Sequence, residues 1–397
     1  MDPFSFIPLS AGIMRGPFYL VLWVLELWVL ALLTGCHVTE SLLLAGLPDA
    51  PSNALLVVDG QGPEARFGYI TKLEIDSRGN LYVLDDGPER LAGNLQRFLT
   101  SSSIRQITPE GKVTTLLGRG TTQTLVGTSG MAIRNDVLYV TSAGCLLKAD
   151  LKKEQPLSFN PFYGKCLSLE QVQNIQKKES QAPDLSLNKN DFWNPVIEQI
   201  MPENNLFIRF STITDERGFF FRVDPDERGF FFRVDPDEKV ILEKERRYFP
   251  AEGLFGNFVM DSRGMIYGTT LAMPGPGGGG PSKSYKVSYQ DLSKEGPIVF
   301  QQIPYINQSE SLGVFAVDNE DFLYVLNKDG LIQRFSPQGE MVVIGKRDGL
   351  QGPKEGVIAG YKVNHQRTWL YFATLTAVYK IPLPPPLSPK GENHETK

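Results

Sequence analysis

Only three histidines occur among the 397 residues: His37, His365 and His394. A multi-histidine metal centre is therefore excluded. A Ser-His-Asp or Cys-His nucleophile would have to rest on His365 alone, since His37 follows an apolar amino-terminal run and His394 lies in a polar tail. Neither Cys145 nor Cys166 stands in the electropositive setting that activates a thiol. What remains is the chemistry of oxygens and amides. Glu74, Ser129, Asn135, Glu252, Asn257, Glu310 and Ser311 fall next to segments that read as strands, where they would present hydrogen-bonding groups to a ligand at a channel mouth. The glycine run Pro274-Gly-Pro-Gly-Gly-Gly-Gly-Pro281 is not a phosphate loop. A Walker loop closes on Gly-Lys-Ser/Thr and opens a helix, whereas Gly280 is followed here by Pro281-Ser-Lys. A flexible hairpin connection is the reading it supports.

The elements that must position these groups are short strands. From Ile70 to Gly118 the chain reads ITKLEIDSRGNLYVLDD and, after an insertion, SIRQITPEGKVTTLLG. Period-two apolar residues alternate with the turn clusters Asp76-Ser-Arg-Gly79 and Thr108-Pro-Glu-Gly111, which predicts four strands joined by tight turns. In such a turn the Asp carboxylate accepts backbone N–H bonds and the Gly supplies positive φ. Related units recur at Gly130–Leu151, Phe207–Glu245, Gly253–Ile303, Leu312–Gly345 and Gly356–Pro382. A repeat of about 40–50 residues of this kind signals a β-propeller.

The Asp-x-x-Gly-Asn-Leu-Tyr-Val segment at Asp76–Val83, followed by Ile104-Arg105 and a Pro-x-Gly turn, resembles the NHL-repeat family. The expectation is an all-β, six-bladed β-propeller closed by an amino-terminal strand, with one short helical insertion. Ala54 to Val58 (ALLVV) is the expected closing strand, paired with Ala377–Ile381. Asp85, Asp86 and Arg90 are read as solvated structural groups at turns and blade edges. The second unit shows three clear strands, then an insertion at about 152–205, where Ser168-Leu-Glu-Gln171 fits a helix-opening capping box. Its aromatics, among them Phe159, Phe162, Tyr163, Phe192 and Trp193, either pack the insertion down or line a pocket. DERGFFFRVDP occurs twice in succession, at Asp215–Pro225 and Asp226–Pro236. Either the copies are successive strands of one sheet, or one of them bulges out.

The amino terminus carries the apolar run Pro17–Gly35, preceded by Arg15, with Met14 as an alternative start. Its position and basic flank suit a secretory signal, and Glu26 within it disfavours a permanent span. Leu33-Thr34-Gly35-Cys36 resembles the lipobox of bacterial lipoproteins. That resemblance implies a diacylated Cys36 as the mature first residue and attachment to a lipid bilayer; the other reading is a plain signal or anchor with a chance cysteine. The organisation expected is a signal at 1–36, a tether at 37–52, the propeller at 53–383 and a disordered tail at 384–397. Cys145 and Cys166 then form an even pair in an exported chain, either disulfide-bonded or two buried thiols.

A net charge of −5 and a pI near 5.5 argue against a nucleic-acid partner. Three function classes follow. The first is a non-catalytic, monomeric binding or scaffold propeller without a cofactor. It would be anchored on the periplasmic or extracellular side of a cell envelope, or secreted, and present loops to a protein or a glycan. The second follows from resemblance to the gluconolactonase-type propellers, which implies calcium or another divalent ion polarising a lactone carbonyl and activating water. Glu252 and Asn257 would be its ligands, although that family's Glu-Gly-Pro lead and its Asn-Gly motif are not clearly matched. The third, resembling the amidating and virginiamycin lyases, needs more histidine than the ring has.

Overall fold

The computed structural model describes residues 39–48, 57–86, 102–128, 130–143, 145–153, 157–168, 170–172, 193–200, 206–212, 229–234, 240–246, 255–270, 283–288, 290–291, 300–307, 311–327, 329–346 and 360–384. The strands begin with β1 Thr39–Glu40, β2 Leu42–Gly46 and β3 Gly60–Gln61. Blade 1 follows: β4 Ile70–Ile75, β5 Leu81–Asp85, β6 Ser103–Ile107 and β7 Lys112–Gly118, with β3 added outside β7. Blade 2 is β8 Met131–Arg134, β9 Val137–Ser142, β10 Cys145–Asp150 and β11 Asn160–Gly164. Next comes a sheet of β12 Trp193–Ile200, β13 Leu206–Thr212, β14 Gly229–Val234 and β15 Val240–Arg246. Blade 3 is β16 Phe255–Met260, β17 Met265–Thr270, β18 Ser284–Ser288 and β19 Gln301–Gln302, trailed by one helical turn at Pro304–Asn307. Blade 4 is β20 Ser311–Val317, β21 Leu323–Asn327, β22 Leu331–Phe335 and β23 Met341–Lys346. Blade 5 is β24 Gly360–Val363, β25 Trp369–Ala373 and β26 Ala377–Pro382.

The core lies between blades, and the second strand of each repeat explains why. In β5, Leu81 and Val83 pack toward blade 5 while Tyr82 and Leu84 pack toward blade 2. In β21, Leu323 and Val325 face blade 3 while Tyr324 and Leu326 face blade 5. Side chains alternate across a strand, so a strand sandwiched between two sheets is apolar at every position. The runs Leu81-Tyr-Val-Leu84 and Leu323-Tyr-Val-Leu326 are therefore the signature of a strand covered on both faces. Four such apolar interfaces join blades 3, 4, 5, 1 and 2 in that order.

The fold is an all-β propeller with few helices. The sequence predicts six blades; packed side chains establish five. The difference is the β12–β15 sheet, which pairs as backbone beside β8 but whose side chains lie outside the described residues.

Closure is by an amino-terminal strand, though not the one expected. β2 pairs antiparallel with β26, Leu42 opposite Lys380 and Gly46 opposite Ala377, whereas Val58 only bridges Arg66 and 51–56 lie outside the described residues. The apolar runs at 42–45 and 54–58 look alike, but only the first ends in a glycine. Gly46 has φ +94°, and a Cβ there would stand 2.4 Å from the Thr376 carbonyl oxygen. Glycine alone lets β2 turn off the sheet at that point. β1 meanwhile adds to blade 4, parallel to β23 through Thr39–Gly345 and Glu40–Lys346. Within the stretch read as a tether at 37–52, Thr39–Glu40 and Leu42–Gly46 are thus built into two sheets.

Two further expectations change. β11 and β12 lie inside the 152–205 segment, so the insertion between sheets shrinks to 165–192. Asn160-Pro-Phe-Tyr-Gly164 looks like a loop because of its Pro and Gly, and it forms an edge strand, where a missing N–H costs little. The capping box does form: Gln171 N–H donates to Ser168 Oγ (3.2 Å) and Ser168 N–H to Gln171 Oε1 (2.8 Å). As for the duplication, β14 comes from the second copy and pairs directly with β13, Leu206 opposite Val234. The copies are not successive strands, and the first copy lies outside the described residues.

Candidate binding cavity at the hairpin end

One turn type recurs where the innermost strand of a blade passes into the second. Asp76 Oδ1 accepts the N–H groups of Arg78 (2.9 Å) and Asn80 (2.8 Å), while Oδ2 accepts the Tyr82 hydroxyl (3.1 Å). Asp261 does the same for Arg263 N–H (3.0 Å), Met265 N–H (2.8 Å) and the Tyr267 hydroxyl (3.0 Å). Asp318 serves Glu320 N–H (2.9 Å), Phe322 N–H (3.0 Å) and the Tyr324 hydroxyl (2.9 Å). In blade 5 an amide takes over, Asn364 Oδ1 accepting from Thr368 and Trp369 N–H at 2.9 Å each. The three aspartates are buried. Burial, and then the adjacent carboxylate, pushes the hydroxyls of Tyr82, Tyr267 and Tyr324 well above the ordinary phenol range, so they remain donors.

A second device ties neighbouring turns together. The Ser77 N–H and hydroxyl donate to the two oxygens of Asp136 in blade 2 (2.9 and 2.7 Å). Ser262 in blade 3 donates identically to Asp321 in blade 4 (2.8 and 3.0 Å). Asp136 and Asp321 both have left-handed backbone, φ 60° and 63°, which Asp tolerates better than most residues. Burial opposes the Asp136 carboxylate, but the two Ser77 donors, with Lys152 and Arg78 behind them, hold its pKa below the usual range. Between blades 4 and 5 the clamp is cationic: the Arg367 guanidinium (φ 55°) pairs with Asp318 at 3.2 Å and also with Glu320.

These fastened turns surround a cavity of about 580 Å³ at the ends of the innermost strands of blades 1, 2, 4 and 5. Its apolar lining is Ile75, Ile133, Val317 and Val363. Polar lining comes from Ser77, Asn135, Lys152, Asn319, Asn364 and His365, with the carboxylates of Asp76, Asp136 and Asp318 already engaged in the turns. A preformed hollow with apolar walls and a few convergent hydrogen-bonding groups is the usual shape of a small-ligand site.

Of the residues singled out from sequence, Asn135 lines this cavity. Glu74 does not; it pairs with Lys362 at 2.9 Å between blades 1 and 5. Ser129, Glu252 and Glu310 lie outside the described residues, and Asn257 and Ser311 belong to β16 and β20 with side chains outside them. Lys152, Asn319 and His365 carry no ligand signal of their own in the sequence; Asn319 and His365 directly follow the turn residues Asp318 and Asn364. Asp85 and Asp86 are buried rather than solvated. Asp85 accepts the N–H groups of Gly68 (3.0 Å) and Tyr69 (2.9 Å) and pairs with buried Arg105 (3.2 Å), whereas Asp86 accepts the Ser102 hydroxyl (3.0 Å).

Cys145 and Cys166 are joined by a disulfide. Together with the Leu167 N–H bond to the Ala143 carbonyl (2.9 Å), and Val172 packed on Val126 and Ala143, it fixes the start of the 165–192 segment to blade 2. Phe162 meets Tyr139 edge-on at 5.4 Å and Phe159 is buried, so these aromatics pack rather than line a pocket. Among the described residues, no three His, Cys, Asp or Glu side chains are grouped to hold a metal ion, and no helix is long and apolar enough to cross a membrane.

No family model and no curated protein sequence matches this chain. Solved structures similar to it include a gluconolactonase from Xanthomonas campestris, at 10% identity and TM-score 0.46, covering 88% of this chain and 99% of that one. A Bacteroides thetaiotaomicron protein of unknown function is similar at 12% identity and TM-score 0.49, over 87% of this chain and 76% of that one. A luciferin-regenerating enzyme matches at 13% identity and TM-score 0.45, over 80% and 92%. No activity passes from them to this chain.

Proposed function

We propose that this chain is an NHL-like propeller, anchored on the periplasmic or extracellular side of a cell envelope or secreted, that binds a glycan or a protein segment in the hairpin-end cavity. The observation carrying the reading is the cavity itself: apolar walls from four strand ends, and amide, imidazole and ammonium groups held on turns that are clamped to one another. A glycan matches that lining, since its hydroxyls exchange hydrogen bonds with Asn135, Asn319 and His365 while its apolar ring face covers Ile133 and Val317. The disulfide is in keeping with an oxidising compartment, and Cys36 is the proposed point of lipid attachment.

A glycan array probed with the full chain tests this reading. Saturable binding that falls at least tenfold in Asn319→Ala and His365→Ala, both exposed residues, is the result expected. The competing reading is a lactone hydrolase using calcium or another divalent ion on Glu252 and Asn257. Turnover of glucono-δ-lactone that EDTA abolishes, calcium restores and Glu252→Gln removes would overturn the binding role.

A further inference from the structure

The link between the amino-terminal apolar run and the folded body is short. β1 begins at Thr39, with only His37 and Val38 between it and Cys36. An extended chain spans at most about 3.6 Å per residue, so that link reaches roughly 11 Å. If Cys36 carries lipid or the run remains as an anchor, Thr39 can stand no more than roughly 11 Å from Cys36.

The surface at that point is suited to lipid. Four large apolar side chains are exposed among the described residues, and two of them are Leu42 (50%) and Leu43 (36%) on β2, the outermost strand of blade 5. Leu42 stands opposite Lys380 on β26, and the Lys380 ammonium sits 4.9 Å from the centre of the Trp369 ring. Trp369 is half-buried against the core between blades 1 and 5, so the groups offered to lipid are the two leucines, which flank the β2 edge on opposite faces, and the Lys380 ammonium, which can reach phosphate. We infer that the β2 edge of blade 5 lies directly on a phospholipid bilayer. The propeller is then held against the membrane by its rim rather than carried away from it on a flexible stalk. This inference rests on the membrane attachment proposed above.

The test uses the full chain reconstituted in phosphatidylcholine/phosphatidylglycerol vesicles, made either with ordinary lipid or with acyl chains brominated near the headgroup, which quench nearby tryptophan. Leu43→Trp adds a reporter on β2, and Lys153→Trp adds one at an exposed position of blade 2. The expected result is that brominated lipid removes at least half of the fluorescence added by Leu43→Trp and leaves that added by Lys153→Trp unchanged. A chain that floats with the vesicles while its Leu43→Trp signal is the same in both lipids overturns the inference and leaves the attachment standing; burial of that edge in a second copy gives this result too. A chain that does not float overturns both.

Discussion

Asp318 offers the sharpest test of the repeated turn. Its side chain is 1% exposed, and the carboxylate accepts two turn N–H groups, the fully buried Tyr324 hydroxyl and the Arg367 guanidinium. In Asp318→Ala the two N–H groups can turn to water, but Tyr324 and Arg367 cannot. A buried donor left without a partner costs about 1–3 kcal/mol, more when charged. Arg367 keeps Glu320, which moderates its share. The loss comes to about 3–5 kcal/mol, a large part of the roughly 5–15 kcal/mol that holds a typical domain together. Asp318→Asn should cost less, about 1–2 kcal/mol, because its carbonyl can still accept both N–H groups, as Asn364 does in blade 5. Urea midpoints followed by circular dichroism give the ranking wild type, then Asn, then Ala. A midpoint for Asp318→Ala within about 0.5 kcal/mol of wild type would mean that the aspartate does not hold the turn. The reasoning that commits Asp76 and Asp261 to structure would fail with it.

Three further outcomes follow. The pKa of Asp136 is held down by Ser77, so the clamp adds stability that is complete above the ordinary Asp value of about 3.9 and disappears as pH falls through the lower folded value. Ser77→Ala should therefore destabilise by about 1–2 kcal/mol at pH 7, and acid titration of both proteins should show the gap closing below about pH 4. Gly46→Ala places a Cβ against the Thr376 carbonyl in a left-handed residue and should cost at least about 2 kcal/mol; hydrogen exchange at the β26 amides should accelerate accordingly. Cys166→Ser opens a loop with a sequence separation of 21 and should lower stability by about 3 kcal/mol, with new proteolytic cleavage near Leu167 as the readout.

The sequence revealed most where backbone chemistry and apolar period agreed. Asp76-Ser-Arg-Gly79 and Asp261-Ser-Arg-Gly264 announce the turn, because the carboxylate and the positive-φ glycine both have local tasks there. The runs after them announce strands buried on both faces. Closure was less legible: Ala54–Val58 is the expected strand, and the use of Leu42–Gly46 instead depends on a carbonyl more than 300 residues away that only Gly46 can approach. Pro161 hid an edge strand, since proline is tolerated there for reasons of pairing and not of composition. The cavity was hardest to foresee. Asn135, Asn319 and His365 come from three blades and resemble ordinary turn residues until the turns are placed around one axis.

The account stands on ligand binding at the hairpin end of the propeller, and a crystal structure of the chain with the best ligand from the glycan array addresses it most directly. The prediction is that the sugar lies over Ile133 and Val317 with hydrogen bonds to Asn135, Asn319 and His365. A ligand seated instead beside Glu252 and Asn257, with a divalent ion between them, would contradict it.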